Sequence, residues 1–399
     1  MNPINTFCCR TFQTAFQAAL PFLPYRKPHK ISSVKKLPDI LSAHGCGHVL
    51  IVTDRLITGL GLTRSLEQAL RDHKIAYTLY DRTVANPTTA NVEEARTLFL
   101  QKDCDAIIGF GGGSSMDCAK AVGARIAQPR KSLARMKGIL RVHRRLPLLI
   151  AVPTTAGTGS ETTLASVITD SRTRRKYAIS DFPLIPRYAV LDPRLTVSLP
   201  PFITATTGLD ALTHAVEAYI GRSTTRDTRR AALTAVRLIF QNLDRAYANG
   251  SDLKARRGML AASFHAGYAF SKSYVGYIHA VAHSLGGEYG TPHGLANAIL
   301  LPHFLDAYGP AIYRKLHYLA VAAGVADLDT PDETAARAFV QAIRDMERRF
   351  RLPKTLPEIC LADIPKLARY ADHEANPLYP VPVLMNAREL EAFYHKVAQ

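Results

Sequence analysis

Between about residue 40 and residue 195, short apolar runs alternate with stretches of helical spacing. HVLIVTD at 48–54 reads as a buried strand, with a helix through SLEQALRDH after it. IAYTLYD at 75–81 is the next strand, followed by a helix through VEEARTLFLQK. DAIIGFGGG at 105–113 is a strand that runs into glycines, and LLIAVPTT at 148–155 and YAVLDP at 188–193 are two more. TTLASVITD and RKYAISD carry β-branched or aromatic residues around a polar turn, the pattern of an antiparallel pair. Continuously apolar strands alternating with helices predict a parallel sheet covered by helices on both faces.

After about residue 200 the pattern changes. GLDALTHAVEAYI, RRAALTAVRLIFQNLDRAYANG, RGMLAASFHAGYAF and the segments after Pro302 all have helical spacing, and none reads as a strand. The expected organisation is an α/β domain over 31–200 and an all-helical domain over 201–399, with the boundary near Pro200–Pro201. No fixed-period repeat is present. Residues 1–30 read as a basic, amphipathic extension, with Phe7, Phe12, Phe16 and Leu20 at near-helical spacing and Arg10, Gln13 and Gln17 between them. PFLPYRKPHK then stops the helix. Polar interruptions argue against a secretory signal. An organelle transit peptide, a helix on a membrane surface and a helix packed on its own protein all fit the pattern.

Composition adds little to this picture, and charge adds more. A chain of 399 residues with 47% hydrophobic and 21% charged residues is of ordinary globular make-up and long enough for two domains. No apolar run reaches membrane-spanning length. Six cysteines without a CxxC spacing fit a reduced, cytoplasmic setting. The net charge of +17 is concentrated: the first 38 residues hold no acid, and neither does the span from Cys118 to Ser160. Aromatics do not interleave the basic residues and no nucleic-acid module accompanies them, so a solvated surface that draws in an anionic cofactor is expected rather than nucleic acid.

Two kinds of chemistry stand out. A strand enters and a helix leaves GFGGGSSMDCAK at 109–120, where freed backbone N–H groups and a helix N-terminus can hold a pyrophosphate. PTTAGTGSE at 153–161 adds threonine hydroxyls, and Asp54 at a strand end can either cap a helix or accept from ribose hydroxyls. Farther along, Asp210 and His214 in GLDALTHAVEAY share one helix face. With His279 and His293 of HAVAHSLGGEYGTPHG they offer one carboxylate and three imidazoles, a complete donor set for Fe²⁺ or Zn²⁺ rather than Mg²⁺ or Ca²⁺. His283 shares a face with His279.

These motifs, with VTD at 52–54 and NPT at 86–88, resemble the iron-containing (group III) alcohol dehydrogenases from about residue 31 to the end. The resemblance implies a nucleotide-binding α/β domain, a helical metal domain and an active site in the cleft between them. By matching position it assigns Asp210, His214, His279 and His293 as metal ligands and His283 as a non-ligand near substrate and nicotinamide. It makes Asp54, Asn86, Gly112, Gly113, Ser114, Asp117, Thr154, Thr155, Thr158 and Lys176 cofactor contacts, with Asp54 a marker of NAD over NADP. Reversible hydride transfer between a primary alcohol or aldehyde and NAD(H) is implied, with Fe²⁺ bound or Zn²⁺ in its place, in a homodimer. Departures are GRSTTRDTRR, basic where many members are acidic, HSLGGEYG in place of HPLG or HNLG, and the extension. They bear on substrate range and leave the donor set intact. A glycerol dehydrogenase-like or maleylacetate reductase-like chemistry is the near alternative; a catalytically silent cationic scaffold is the distant one.

Overall fold

The runs VLIV (49–52), AIIGFG (106–111) and LIAVP (149–153) are continuously apolar because both faces of these central strands are buried. The computed structural model describes residues 3–398. Its strands are β1 (His29–Ile31), β2 (His48–Val52), β3 (Ala76–Tyr80), β4 (Ala106–Gly111), β5 (Gly138–Ile139), β6 (Leu148–Pro153), β7 (Ala165–Thr169), β8 (Lys176–Ser180) and β9 (Tyr188–Val190). The main sheet is parallel, in the order β1-β9-β6-β4-β2-β3. Alternate side chains go to opposite faces. Leu50, Val52, Ile107 and Leu149 meet Val92 and Phe99 of helix Thr89–Gln101 and Val122 of helix Gly113–Ala127. Val49, Ile51, Ile108 and Ile150 meet Leu37 and Leu41 of helix Leu37–Ala43 and Leu66 and Leu70 of helix Arg64–Asp72. β7 and β8 form the expected antiparallel pair, in a small second sheet with β5.

Two strands carry no signal in the sequence. β1 has only three residues, largely exposed at a sheet edge, and β5 has two, so neither contains an apolar period. Pro302 lies inside helix His293–Tyr308 instead of preceding a new helix.

The regular elements of the second part are all helices among its described residues. Helix Pro201–Ile220 is buried at every position from Gly208 to Ile220, which explains its lack of a polar stripe. Helices Arg226–Ala248, Leu253–Ser273 and His293–Tyr308 surround it, and helix Tyr277–Glu288 packs on His293–Tyr308 and on Ile364–Ala375. The chain forms two compact units, Pro24–Ser198 and Leu199–Gln399, and the N-terminal segment through Leu23 belongs to the second.

That segment forms a helix, Pro3–Ala19, docked on the helical unit. The docked face takes in half of the stripe expected from spacing. Leu20 is buried and Phe16 packs on Tyr274, whereas Phe7 is 71% and Phe12 44% exposed and Cys9 and Gln13 are buried in their stead. No described helix is long and apolar enough to cross a membrane.

Candidate active site

In the α/β unit the loops after β2, β4 and β6 emerge side by side at the carboxyl ends of parallel strands, where open α/β sheets bind ligands. Gly111 has φ +147°, and a Cβ there would lie 2.6 Å from Ser115 Oγ, so only glycine permits this turn. Gly112 is the N-cap of helix Gly113–Ala127 and contributes no side-chain cap, leaving the first-turn N–H groups for a ligand. Cβ positions built on Gly112 and Gly113 would lie 3.7 Å from Thr155 Cγ2 and 3.1 Å from Thr158 Cγ2, so the 154–158 loop lines the glycine loop. Ser114 Oγ accepts from the Asn86 backbone N–H at 3.4 Å. One Asp54 oxygen accepts from Ile57 N–H at 3.0 Å, capping helix Arg55–Gly59, and the other accepts from Ser115 Oγ at 3.2 Å.

Asp117 and Lys176 are the remaining expected cofactor contacts. Both carboxylate oxygens of Asp117 are bonded inside the protein, one to Ser160 Oγ at 2.7 Å and the other to Val167 N–H at 3.0 Å. Lys176 begins β8, opposite Thr169 in register, and no hydrogen bond or ion pair ties its side chain to these loops among the described residues. Beneath the loops sits a cluster that the sequence reading missed. Lys120 Nζ, 1% exposed, donates to Ser160 Oγ, Thr163 Oγ1 and the Ala165 carbonyl, each at 2.8 Å. Burial pulls the Lys120 ammonium down to about 8 and pushes the neighbouring Glu161 carboxyl up to about 7.

In the helical unit, Asp210, His214, His279 and His293 come together, each offering a donor atom within 4.8 Å of all the others. A four-donor shell with bonds of about 2.0–2.2 Å spans roughly 4 Å, so the set needs only slight contraction around an ion. Asp210 and His214 lie one turn apart on the central helix, and His279 projects from helix Tyr277–Glu288. His293 opens its own helix, and Gly294 beside it lets that helix approach: a Cβ there would lie 2.6 Å from the Thr206 carbonyl oxygen. The His214 ring is stacked on Phe270 with centroids 4.1 Å apart.

The surroundings fit a cation. Asn297 Nδ2 donates to Asp210 Oδ1 at 2.7 Å and lies 3.1 Å from both His279 Nε2 and His293 Nε2, so three candidate ligand atoms crowd an amide with two hydrogens. His279 Nδ1 is 2.5 Å from Glu217 Oε2, which turns Nε2 toward the other donors. This is the carboxylate–histidine support common at metal sites. Burial and the neighbouring imidazoles hold His279 neutral, as a ligand must be. Burial raises the Glu217 carboxyl to about 8, opposed by backbone N–H groups that include that of Ile278 at 2.9 Å.

His283 is stacked on His293 at 5.1 Å between centroids and lies outside the four-donor set. Its Nδ1 is 2.6 Å from Glu374 Oε1, which also accepts from the Tyr379 hydroxyl at 2.7 Å. Burial pushes the Glu374 carboxyl up, but the His283 charge and these hydrogen bonds outweigh it and hold it below its ordinary value. Glu217 and Asn297 were within reach of sequence reasoning, since they lie three and four residues after His214 and His293 on the same helices. Glu374 and Tyr379 were not, being about ninety positions away from His283.

Residues 29–193 match the family model described as iron-containing alcohol dehydrogenase, and residues 204–398 match that of the Fe-containing alcohol dehydrogenase family, C-terminal. A 1,3-propanediol dehydrogenase of Klebsiella pneumoniae is 36% identical over 387 residues, covering 96% of this chain and 98% of that protein. The solved structure of a 1,3-propanediol oxidoreductase has a TM-score of 0.89 at 34% identity, covering 94% of this chain and 99% of that one. That of a sulfoacetaldehyde reductase from Bifidobacterium kashiwanohense, in complex with NAD+, has a TM-score of 0.83 at 29% identity, covering 94% and 98%. The chain belongs to the iron-containing alcohol dehydrogenase family, and is thus an oxidoreductase of the alcohol dehydrogenase type.

Proposed function

We propose that this protein interconverts a primary alcohol and its aldehyde with NAD(H), using Fe²⁺, or Zn²⁺ in its place, held by Asp210, His214, His279 and His293. The observation that carries the reading is the convergence of these four donors, three of which, on Asp210, His279 and His293, crowd the single Asn297 amide nitrogen. When bound, the metal supplies Lewis acidity toward the substrate oxygen and the nicotinamide gives or takes the hydride.

The chain's own residues do the rest. Glu217 orients His279, and Phe270 fixes the His214 ring. The N–H groups at Gly112, Gly113 and Ser114, with the hydroxyls of Thr154, Thr155 and Thr158, supply donors for a pyrophosphate. Asn86 closes one side of this loop and Asp54 is the acceptor for ribose hydroxyls. Lys176 belongs to this cofactor set by position, and Asp117 acts on it by holding Ser160. Because Glu374 holds His283 at Nδ1, proton exchange with substrate falls to His283 Nε2. A cytoplasmic homodimer completes the proposal, checked by light scattering of the purified protein and by fractionation of cells.

The test is an alcohol and aldehyde panel followed by NADH absorbance on protein reconstituted anaerobically with Fe²⁺ or Zn²⁺. Alcohol-dependent NADH formation that scales with metal content is expected. Full metal occupancy with no turnover on any primary alcohol, including 1,3-propanediol, would overturn the reading and favour the silent scaffold.

A further inference from the structure

The N-terminal helix Pro3–Ala19 is built to hold one loop. Segment 377–382 has no regular structure, and its carbonyls find partners one by one: that of Tyr379 accepts from Val381 N–H at 2.9 Å and that of Pro380 from Arg222 N–H at 2.7 Å, while the N-terminal helix supplies further donors. The Arg10 guanidinium donates to the Val381 carbonyl at 2.7 Å and to the Pro382 carbonyl at 2.9 Å. It also donates to Gln13 Oε1 at 2.8 Å, which aims the Gln13 amide. Gln13 Nε2 then donates to the Tyr379 carbonyl at 2.8 Å. Gln13 is only 2% exposed, an unusual place for an amide unless every bond is specified.

What that loop carries makes the contact consequential. The Tyr379 hydroxyl bonds Glu374, Glu374 bonds His283 Nδ1, and His283 is stacked on His293. A second contact reaches the same place from the other side. Phe16 packs edge-on against Tyr274 with centroids 5.0 Å apart, and Tyr274 in turn lies 6.3 Å from Tyr379. Tyr274 has φ +61°, a conformation costly for a bulky residue and kept only where neighbours impose it. It stands three residues before the helix Tyr277–Glu288, which bears His279 and His283.

We propose that the N-terminal helix is a positioning element of the reaction site, in which Arg10 and Gln13 seat the 377–382 loop so that Tyr379 and Glu374 present His283 in one orientation. The inference rests on the proposed dehydrogenase reading, in which His283 meets substrate. Arg10 and Gln13 bond to the loop carbonyls and to each other and to none of the four metal donors, so their loss is expected to act through His283.

The experiment is a double-mutant cycle in the full-length, metal-loaded protein. Arg10→Met and Gln13→Glu each remove donors from the loop at nearly constant size. Each is expected to lower kcat about tenfold, a modest share of the ~10²-fold that a 1 Å misplacement costs. Metal content and the KM for NAD should be unchanged, and Arg10→Lys should recover part of the loss. In a His283→Ala background Arg10→Met should cost nothing further, since the residue it positions is gone. Ile239→Val, in the buried core away from the loop, controls for lost stability. Unchanged kcat in both variants, or the same fold-loss with and without His283, overturns the proposal. Hydrogen exchange supplies an arm free of activity: Arg10→Met should speed exchange in 377–385 and in 277–288. If the parent forms no NADH from any alcohol, the dehydrogenase reading fails by itself; unchanged exchange in both segments would sink the clamp independently.

Discussion

At Asp54 one carboxylate oxygen caps a short helix and the other takes the Ser115 hydroxyl, so the charge is fixed beside the glycine loop. A fixed negative charge there opposes a 2′-phosphate and accepts from a 2′-hydroxyl. Asp54→Gly should raise kcat/KM with NADP relative to NAD by about tenfold, the factor carried by about 1.4 kcal/mol of repulsion. A parent that already prefers NADP would show that Asp54 has been misassigned. His283→Ala should keep its metal and lose about 10²-fold in kcat, the usual size of a proton-transfer contribution; metal loss measured by elemental analysis would instead make His283 part of the donor set's support. Glu161 gives the pH prediction. Burial lifts its carboxyl from 4.5 to about 7, so its stabilising contribution is complete below about pH 4.5 and is lost as pH rises through about 7. The full effect is about 3 kcal/mol at roughly 1.4 kcal/mol per pH unit. Glu161→Gln does not titrate, so its melting temperature should gain on the parent's between about pH 5 and about pH 8. Parallel Tm curves across that range would rule the explanation out.

The metal donors depend on how two helices meet. Gly294 permits the start of helix His293–Tyr308 to lie against the Thr206 carbonyl, and the side of that contact faces Asp210. Gly294→Ala places a methyl 2.6 Å from a backbone oxygen that cannot rotate away, so the helix must shift. The expected cost is about 1–3 kcal/mol of stability, together with weakened metal binding because His293 moves with the helix. A calorimetric titration with Zn²⁺ that matched the parent would show that the helix has room to spare. The pairing of Asp210 with His214 was legible because their spacing is internal to one helix. So was the strand–loop–helix passage at Gly109–Lys120. The docking face of the N-terminal segment was legible only in part. Spacing pointed to Phe7, Phe12, Phe16 and Leu20; Leu20 is buried and Phe16 packs on Tyr274, but Phe7 and Phe12 face solvent and Arg10 and Gln13 make the hydrogen bonds. Hydrophobic periodicity cannot reveal a face chosen by the carbonyls of a distant loop.

On the scale of the molecule, the basic balance is partly structural. Lys120 is sealed beneath the loops after β4 and β6, and Arg125 is tied to Glu93 and to the carbonyls of Gln128, Pro129 and Lys131. The acid-free stretch from Cys118 to Ser160 is therefore not a uniform cationic surface. The four metal donors come from three helices, so an ion that joins them stabilises the folded form by linkage, about 2.7 kcal/mol at a hundredfold excess over Kd. Chelation should lower the parent's Tm by a few degrees and leave His279→Ala unmoved, because that variant has already lost a ligand. Equal Tm values with and without chelator in the parent would mean that these donors hold no ion.

The central strands and their following helices, the switch from α/β to helical pattern near residue 200 and the family were determined by the sequence, because each is written in local periodicity or in contiguous motifs, whereas the short strands β1 and β5 were not. Tertiary structure alone decided which groups support those motifs. Glu374 comes about ninety residues after His283, and Tyr379 reaches it through a loop with no period of its own. The Lys120 site draws Asp117, Ser160 and Thr163 from two segments whose spacing means nothing until the helix and loop are packed. Side-chain hydrogen bonds between distant segments depend on distances of a few tenths of an ångström, and only the packed chain sets those.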